Sequence, residues 1–248
     1  MQADSLSQNL GAVITAIGAL GTAAFGLLEA IKPGIKSINL IGFDGIRQTV
    51  SSLTPLERNA EGVLGAPKNA LPQANVLKTL ESNWVNGNDL GSQKAIAKSL
   101  IKLHLSAGNA PALAQATNVD GKILTEVAQS IAAGNALDQP HSDTYSRFDL
   151  IVTAMLDECY QCSDDIYRNW MRALAAVIAV ILALAGGYIL GASTPVSGGA
   201  VHDFGWWFRE MATALIVGLL ATPLAPIAKD LSTALATAVN TMQLVKKV

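Results

Sequence analysis

The sequence predicts an all-α integral membrane protein with three transmembrane helices and a small cytoplasmic helical bundle. Three observations carry this prediction. Segments 10–31, 173–192 and 211–228 are long apolar runs, and a hydrocarbon core of about 30 Å takes roughly 20 helical residues, with about 17 as the lower limit. The intervening stretch, 32–172, is polar, nearly balanced in charge and long enough for a small domain of its own. Within it apolar residues recur at three and four positions, and no segment alternates with period two.

The organisation that follows is a span in 1–31, a cytoplasmic helical domain in 32–141, a stalk in 142–192 that continues into the second span, an external loop in 193–210, and a third span with an amphipathic tail in 211–248. The first segment lacks the preceding Lys or Arg of a secretory leader and exceeds a typical leader's apolar length, so it reads as a retained span. It carries small residues at helical spacing, with Gly18, Thr22 and Gly26 in one row and Thr15, Ala19 and Ala23 in the next. Rows of this kind let helix backbones approach closely inside lipid, which makes these six residues candidates for oligomer packing. Glu29 near the inner end has Lys32 and Lys36 within reach.

Pro33 and Gly34 end this helix. A stretch at 38–53, with Ile41, Ile46, Val50 and Leu53 on its apolar side, is expected to lie along the membrane surface. Thr54 before Pro55 and Glu57 reads as a helix start, and Gly65, Pro67 and Pro72 mark a loop. Further helices are expected at 75–84, at 92–105 with Lys94, Lys98 and Lys102 in a row, around Leu113, and at 121–133 with Ile123, Leu124, Val127 and Ile131 on one face. From Ser142 an apolar stripe of Phe148, Ile151, Val152, Met155, Leu156, Cys159, Ile166 and Trp170 runs towards the membrane without Pro or Gly before Gly186. Pro223 and Pro226 should bend the third span.

Orientation follows from flanking charge. Lys32, Lys36, Arg168, Arg172, Lys229, Lys246 and Lys247 flank one side, against Arg209 on the other. The positive-inside rule then puts the N-terminus outside and the large domain and C-terminus in the cytoplasm. Trp206, Trp207 and Phe208 suit an outer interfacial belt.

Reaction chemistry is sparse. Cys159-Tyr-Gln-Cys162 is a C-x-x-C, yet a zinc site needs four ligands and no second pair exists. A redox pair gains from a helix N-terminus that lowers its thiol pKa, whereas this one lies inside a helical stripe, so packing is the expected role. Segment 113–128 has helix-turn-helix spacing, but its second helix offers Lys122 beside Glu126 and Gln129, poor equipment for reading DNA. Asp157, Glu158, Asp164 and Asp165 are expected to form a solvated face, or else to hold a divalent cation or meet a lysine row on a neighbouring subunit. No phosphate-binding loop, zinc-protease motif or nucleophile elbow occurs. The formal net charge of −2 gives nucleic acid no electrostatic footing.

Leu20-Gly-Thr-Ala-Ala-Phe-Gly26, Asn83-Trp-Val-Asn-Gly87, Gln93-Lys-Ala-Ile-Ala-Lys-Ser-Leu-Ile101, Arg147-Phe-Asp149 and Tyr167-Arg-Asn169 together resemble a family of uncharacterised bacterial inner-membrane proteins. The resemblance implies this architecture and an inner-membrane location, and no activity. The expected function is a homo-oligomeric scaffold that sits in membrane lipid and docks a cytoplasmic protein, without catalytic residues, cofactor or metal. A multimeric pore is the rival expectation, weakened by the lack of ionisable residues in mid-span.

Overall fold

The computed structural model describes residues 2–58, 63–68, 70–193 and 211–221. Among these residues the fold is all-α apart from one antiparallel pair of two-residue strands, and the chain divides into two units, Lys36–Arg168 and a second drawn from Met1–Ile35 and Asn169–Val248.

In the second unit, α1 covers Gln2–Ile31 and ends in a 3₁₀ turn at Lys32–Gly34, where Pro33 cannot continue the α-helical ladder. Lys32 pairs with Glu29 at 2.5 Å. The helix α8, Gln139–Ser193, contributes its C-terminal part, and an apolar helix α9 covers Met211–Ala221. Their contact centres on alanines: Ala24 of α1, Ala179 of α8 and Ala221 of α9 are buried together with Ile17, and Leu20, Ile178, Leu182 and Val217 pack around them. Gly218 of α9 makes the closest approach, because a Cβ there would stand 2.6 Å from Val180 Cα and 2.9 Å from Val180 N.

Two of the three predicted spans therefore fall in helices long and apolar enough to cross a membrane, Thr15–Gly34 and Gln139–Ile189. Of the third predicted span, 211–228, only the apolar helix Met211–Ala221 lies among the described residues, rising about 16 Å. Pro223, Pro226, the tail lysines, the tail helix and the loop carrying Trp206, Trp207, Phe208 and Arg209 lie outside the described residues.

In the unit Lys36–Arg168 a short turn of helix, α2 (Lys36–Asn39), leads to α3 (Phe43–Leu53). The apolar side of α3 is not a membrane-surface face. Phe43, Ile46, Val50 and Leu53 are buried in the core, because that stripe meets the stripes of α4 (Gln73–Val85), α5 (Leu90–His104), α6 (Ala110–Thr117) and α8. Thr54 likewise ends a helix instead of starting one: its hydroxyl donates to Val50 O at 2.8 Å, and the chain passes into β1 (Glu57–Arg58), which pairs with β2 (Leu64–Gly65). The last short helix, α7 (Gly121–Ala133), starts on Asp120, whose carboxylate accepts from the backbone N–H of Lys122 and Ile123. Its inward face is Leu124, Val127 and Ala128; Ile131 is exposed.

The α8 stripe follows the sequence expectation as far as Cys159: Phe148, Val152 and Leu156 are buried, and Met155 and Cys159 pack against them. Beyond it Tyr160 and Ser163 are the buried residues, while Ile166 and Trp170 face outward. At Ser163 the helix meets α3 almost backbone to backbone. Gly42, at φ 86°, caps α3 against the Ser163 carbonyl, and Gly45 lies beside the Ser163 hydroxyl.

Candidate functional site

The sequence-predicted packing residues lie on α1, where 100° per residue separates two faces. Ile17, Gly21, Ala24 and Leu28 form the inward, buried face. Thr15, Ala19, Ala23, Thr22 and Gly26 are exposed on the opposite side, with Gly18 buried at the margin. The Thr22 hydroxyl donates to Gly18 O at 3.0 Å, so the helix satisfies its own polar group there. A Cβ on Gly26 would meet nothing within 4 Å. Gly21, Ala24 and Leu28 were not singled out from the sequence, since small residues surround the whole circumference and do not announce which side is covered.

Asp149, Asp157 and Asp164 of α8 find partners inside the chain. Lys94 reaches Asp157 at 2.5 Å, and Lys98 and Lys102 converge on Asp149 at 2.6 and 2.7 Å. The lysine row foreseen on a neighbouring subunit is thus the chain's own α5 row. Burial opposes ionisation of Asp149, but the two ammonium groups hold its carboxyl below the usual carboxylate range, and Asp149 in turn raises Lys102. Asp164 pairs with Arg168 one turn on, at 2.7 Å. Such half-exposed pairs fix the register of α5 along α8 more than they stabilise it.

Cys159 is half-buried and Cys162 exposed, both as free thiols three residues apart on one helix. The Cys159 thiol donates to Leu156 O at 3.4 Å, and burial pushes its pKa up to about 11 against the smaller opposing effect of Thr49. The thiolate that redox exchange or metal binding requires is therefore scarce near neutrality. Among the described residues no group of three or more His, Cys, Asp or Glu side chains is placed to hold a metal.

Helices α6 and α7 carry the helix-turn-helix spacing. Leu113, Ala114, Leu124 and Ala128 are core residues, and Asn118 supplies the left-handed turn between them at φ 53°. The outer side of the α7–α8 junction is an open groove of about 580 Å³ lined by Val119, Ile123, Leu150 and Ile151, with Asp143 and Arg147 at its rim. Leu150 is 68% exposed, the most exposed large aliphatic side chain of this unit. Neither a family model nor a curated protein nor a solved structure matches the chain. The resemblance to bacterial inner-membrane proteins accordingly stands on the quoted residues alone.

Sequence reasoning missed a buried polar cluster at the start of α4. His104, fully buried, shares a hydrogen bond of 2.6 Å between its Nε2 and the Leu71 carbonyl. Asn109 Nδ2 donates to the His104 carbonyl at 2.5 Å and to Pro55 O at 3.3 Å, while Ser106 Oγ donates to Glu57 at 2.5 Å. Gln73 Nε2 lies 3.0 Å from Thr54 O and 3.2 Å from Ser51 O. The only sequence signal was a histidine ending an amphipathic helix before Ser and Asn, which says nothing of Leu71, thirty-three residues earlier.

A second buried polar group has a simpler consequence. The Tyr160 hydroxyl is buried without a hydrogen-bond partner among the described residues, and burial raises its pKa. Tyr160→Phe removes an unsatisfied group while keeping the ring, so the unit should gain up to about 1 kcal/mol. A urea melt followed by near-ultraviolet circular dichroism reads this directly, and a loss of stability would reveal a partner for the hydroxyl.

Proposed function

We propose that the chain is a membrane-embedded, homo-oligomeric scaffold whose helical unit Lys36–Arg168 lies in the cytoplasm and docks another protein. The observation that carries the reading is the apolar exterior of the unit containing α1 and α9. In the apolar windows of Thr15–Gly34 and Gln139–Ile189 only 28% and 11% is buried, whereas the core helix of a soluble protein would be mostly buried. Val177, Ile181, Tyr188 and Ile189 of α8 and Ile216 and Leu219 of α9 are all more than half exposed. Lipid accommodates such a surface; water does not.

Oligomerisation rests on the α1 face that is exposed among the described residues. Ala19, Ala23, Thr22 and Gly26 offer a shallow, close-approach surface opposite the covered one. Lys32, Lys36, Arg168 and Arg172 support a cytoplasmic position for the helical unit through the positive-inside rule. The α7–α8 groove around Leu150 is the surface on which a partner protein would seat. Placement in a bacterial inner membrane has the resemblance as its support.

Mass photometry of the full chain in mild detergent tests the assembly, and a monomer at every concentration overturns it. Gly26→Leu, which has open space around it, should leave the fold intact while weakening the oligomer by about 1 kcal/mol at each interface that uses the face. Leu27→Phe, off the small rows, should have no such effect. Equal assembly of Gly26→Leu and wild type would mean that the face meets lipid. Conductance of the purified oligomer in a planar bilayer would shift the reading to a pore.

A further inference from the structure

We propose that His104 is an acid-sensitive fastener that holds the N-terminus of α4 against the end of α5 and releases it when the ring takes up a proton. The argument starts from hydrogen-bond inventory. A neutral imidazole has one donor and one acceptor nitrogen. Nε2 faces the Leu71 carbonyl, which only accepts, so Nε2 carries the hydrogen. Nδ1 is then the acceptor, and it is buried with no partner among the described residues. A second proton would have to sit on Nδ1, creating at once a buried charge and a buried donor with nothing to receive it.

Among the described residues no acidic side chain lies within hydrogen-bond distance of Nδ1. On β1, Glu57 accepts from Ser106, and Arg58 is a cation. On α3, Asp44 is engaged by Arg47 at 2.9 Å, and Arg47 also approaches Glu81 of α4 at 3.6 Å. Lys78 of α4 is another cation, and α6 has no ionisable residue. On α5 and α8, Lys94, Lys98 and Lys102 are committed to Asp157 and Asp149. The ring answers first to burial, which lowers its pKa, and then to the Leu71 carbonyl, which opposes this.

The sign of the linkage follows. A histidine with its folded pKa below the unfolded value of about 6.5 contributes stability above that pH and loses it as pH falls towards the folded pKa. Because the bond that would break is to Leu71, next to the Pro72 cap on which α4 begins, the loss should be local. Pro72 O accepts from the N–H groups of Asn75 and Val76, so opening there exposes the first turn of α4 to exchange. His141 provides an internal contrast, since Glu126 first and Asp138 second raise its pKa and acid strengthens its bonds.

Hydrogen–deuterium exchange of the full chain in detergent tests the fastener. After correction for intrinsic rates, protection of the Asn75 and Val76 amides should fall by up to about tenfold per pH unit below about 6.5 in the wild type. In His104→Gln, which keeps a donor for Leu71 but cannot titrate, protection should stay flat. If protection is flat in the wild type, or falls equally in His104→Gln, the proposal fails. Should the variant not fold, exchange at the imidazole C2–H of the wild type reads each ring separately: His104 must titrate below about 6.5 and His141 above it. A His104 midpoint at or above the ordinary value overturns the proposal.

Discussion

Gly42→Ala should destabilise the helical unit by about 2 to 5 kcal/mol, a large part of a typical domain's stability. Two costs combine. At φ 86° any Cβ is strained against its own backbone, which costs roughly 1 to 2 kcal/mol. The added methyl would also fall well inside 3.0 Å of the Ser163 carbonyl oxygen and 3.2 Å from its carbon, and overpacking of this kind costs about 1 to 3 kcal/mol. Backbone of α8 cannot rotate away as a side chain can. Gly87→Ala separates the two terms, since Gly87 has φ 67° but nothing within 4 Å, so only about 1 to 2 kcal/mol should be lost. Urea melts of both variants and wild type in one detergent give the comparison. Equal losses would show that α3 and α8 do not approach as closely as Gly42 and Ser163 indicate.

Gly218→Ala should separate α9 from α8. The new methyl would lie 2.6 Å from Val180 Cα and 2.9 Å from Val180 N, so one helix must shift as a whole, at a cost of about 1 to 3 kcal/mol. In lipid this is a large fraction of a helix pair's association energy, because water expulsion contributes nothing between helices there. Gly187→Ala on α8 is the control: its nearest neighbour is Ala214 Cβ at 3.7 Å, an ordinary contact, and the variant should be as stable as wild type. Unfolding by titrated denaturing detergent, followed by circular dichroism, reports both. If Gly218→Ala melts with wild type, the Gly218–Val180 contact does not hold the pair. Gly218 and Gly26 thus make opposite predictions from the same residue type, one for the fold of a single chain and one for assembly between chains.

Local pattern determined much of this protein. The 3.6-residue recurrence of apolar side chains, the turn signals at Pro33-Gly34 and Asn86-Gly87-Asn88, and the two long apolar runs in α1 and α8 are written within a few residues of one another, and helices form from such short-range information. The same locality explains the errors. Thr54-Pro55 looks like a helix start because its neighbours permit one; pairing of β1 with β2 and the bond to Val50 end the helix there. The 38–53 stretch has one apolar side, and sequence alone does not say whether lipid, water or another helix covers it.

Only the tertiary structure decided which partner each face meets. Lys94, Lys98 and Lys102 were visible as a row, but the carboxylates they engage lie 47 to 63 residues away. His104 became a buried, half-satisfied ring only when Leu71 closed over it, and Gly42 became indispensable only when Ser163 approached. On α1 the small residues encircle the helix, and packing chose Gly21 and Ala24 for the inside while leaving Ala19, Ala23 and Gly26 outside. The physical reason is common to all of these. Periodicity encodes that a face must be covered, whereas the identity of the cover is a long-range property, fixed by how several faces are satisfied at once.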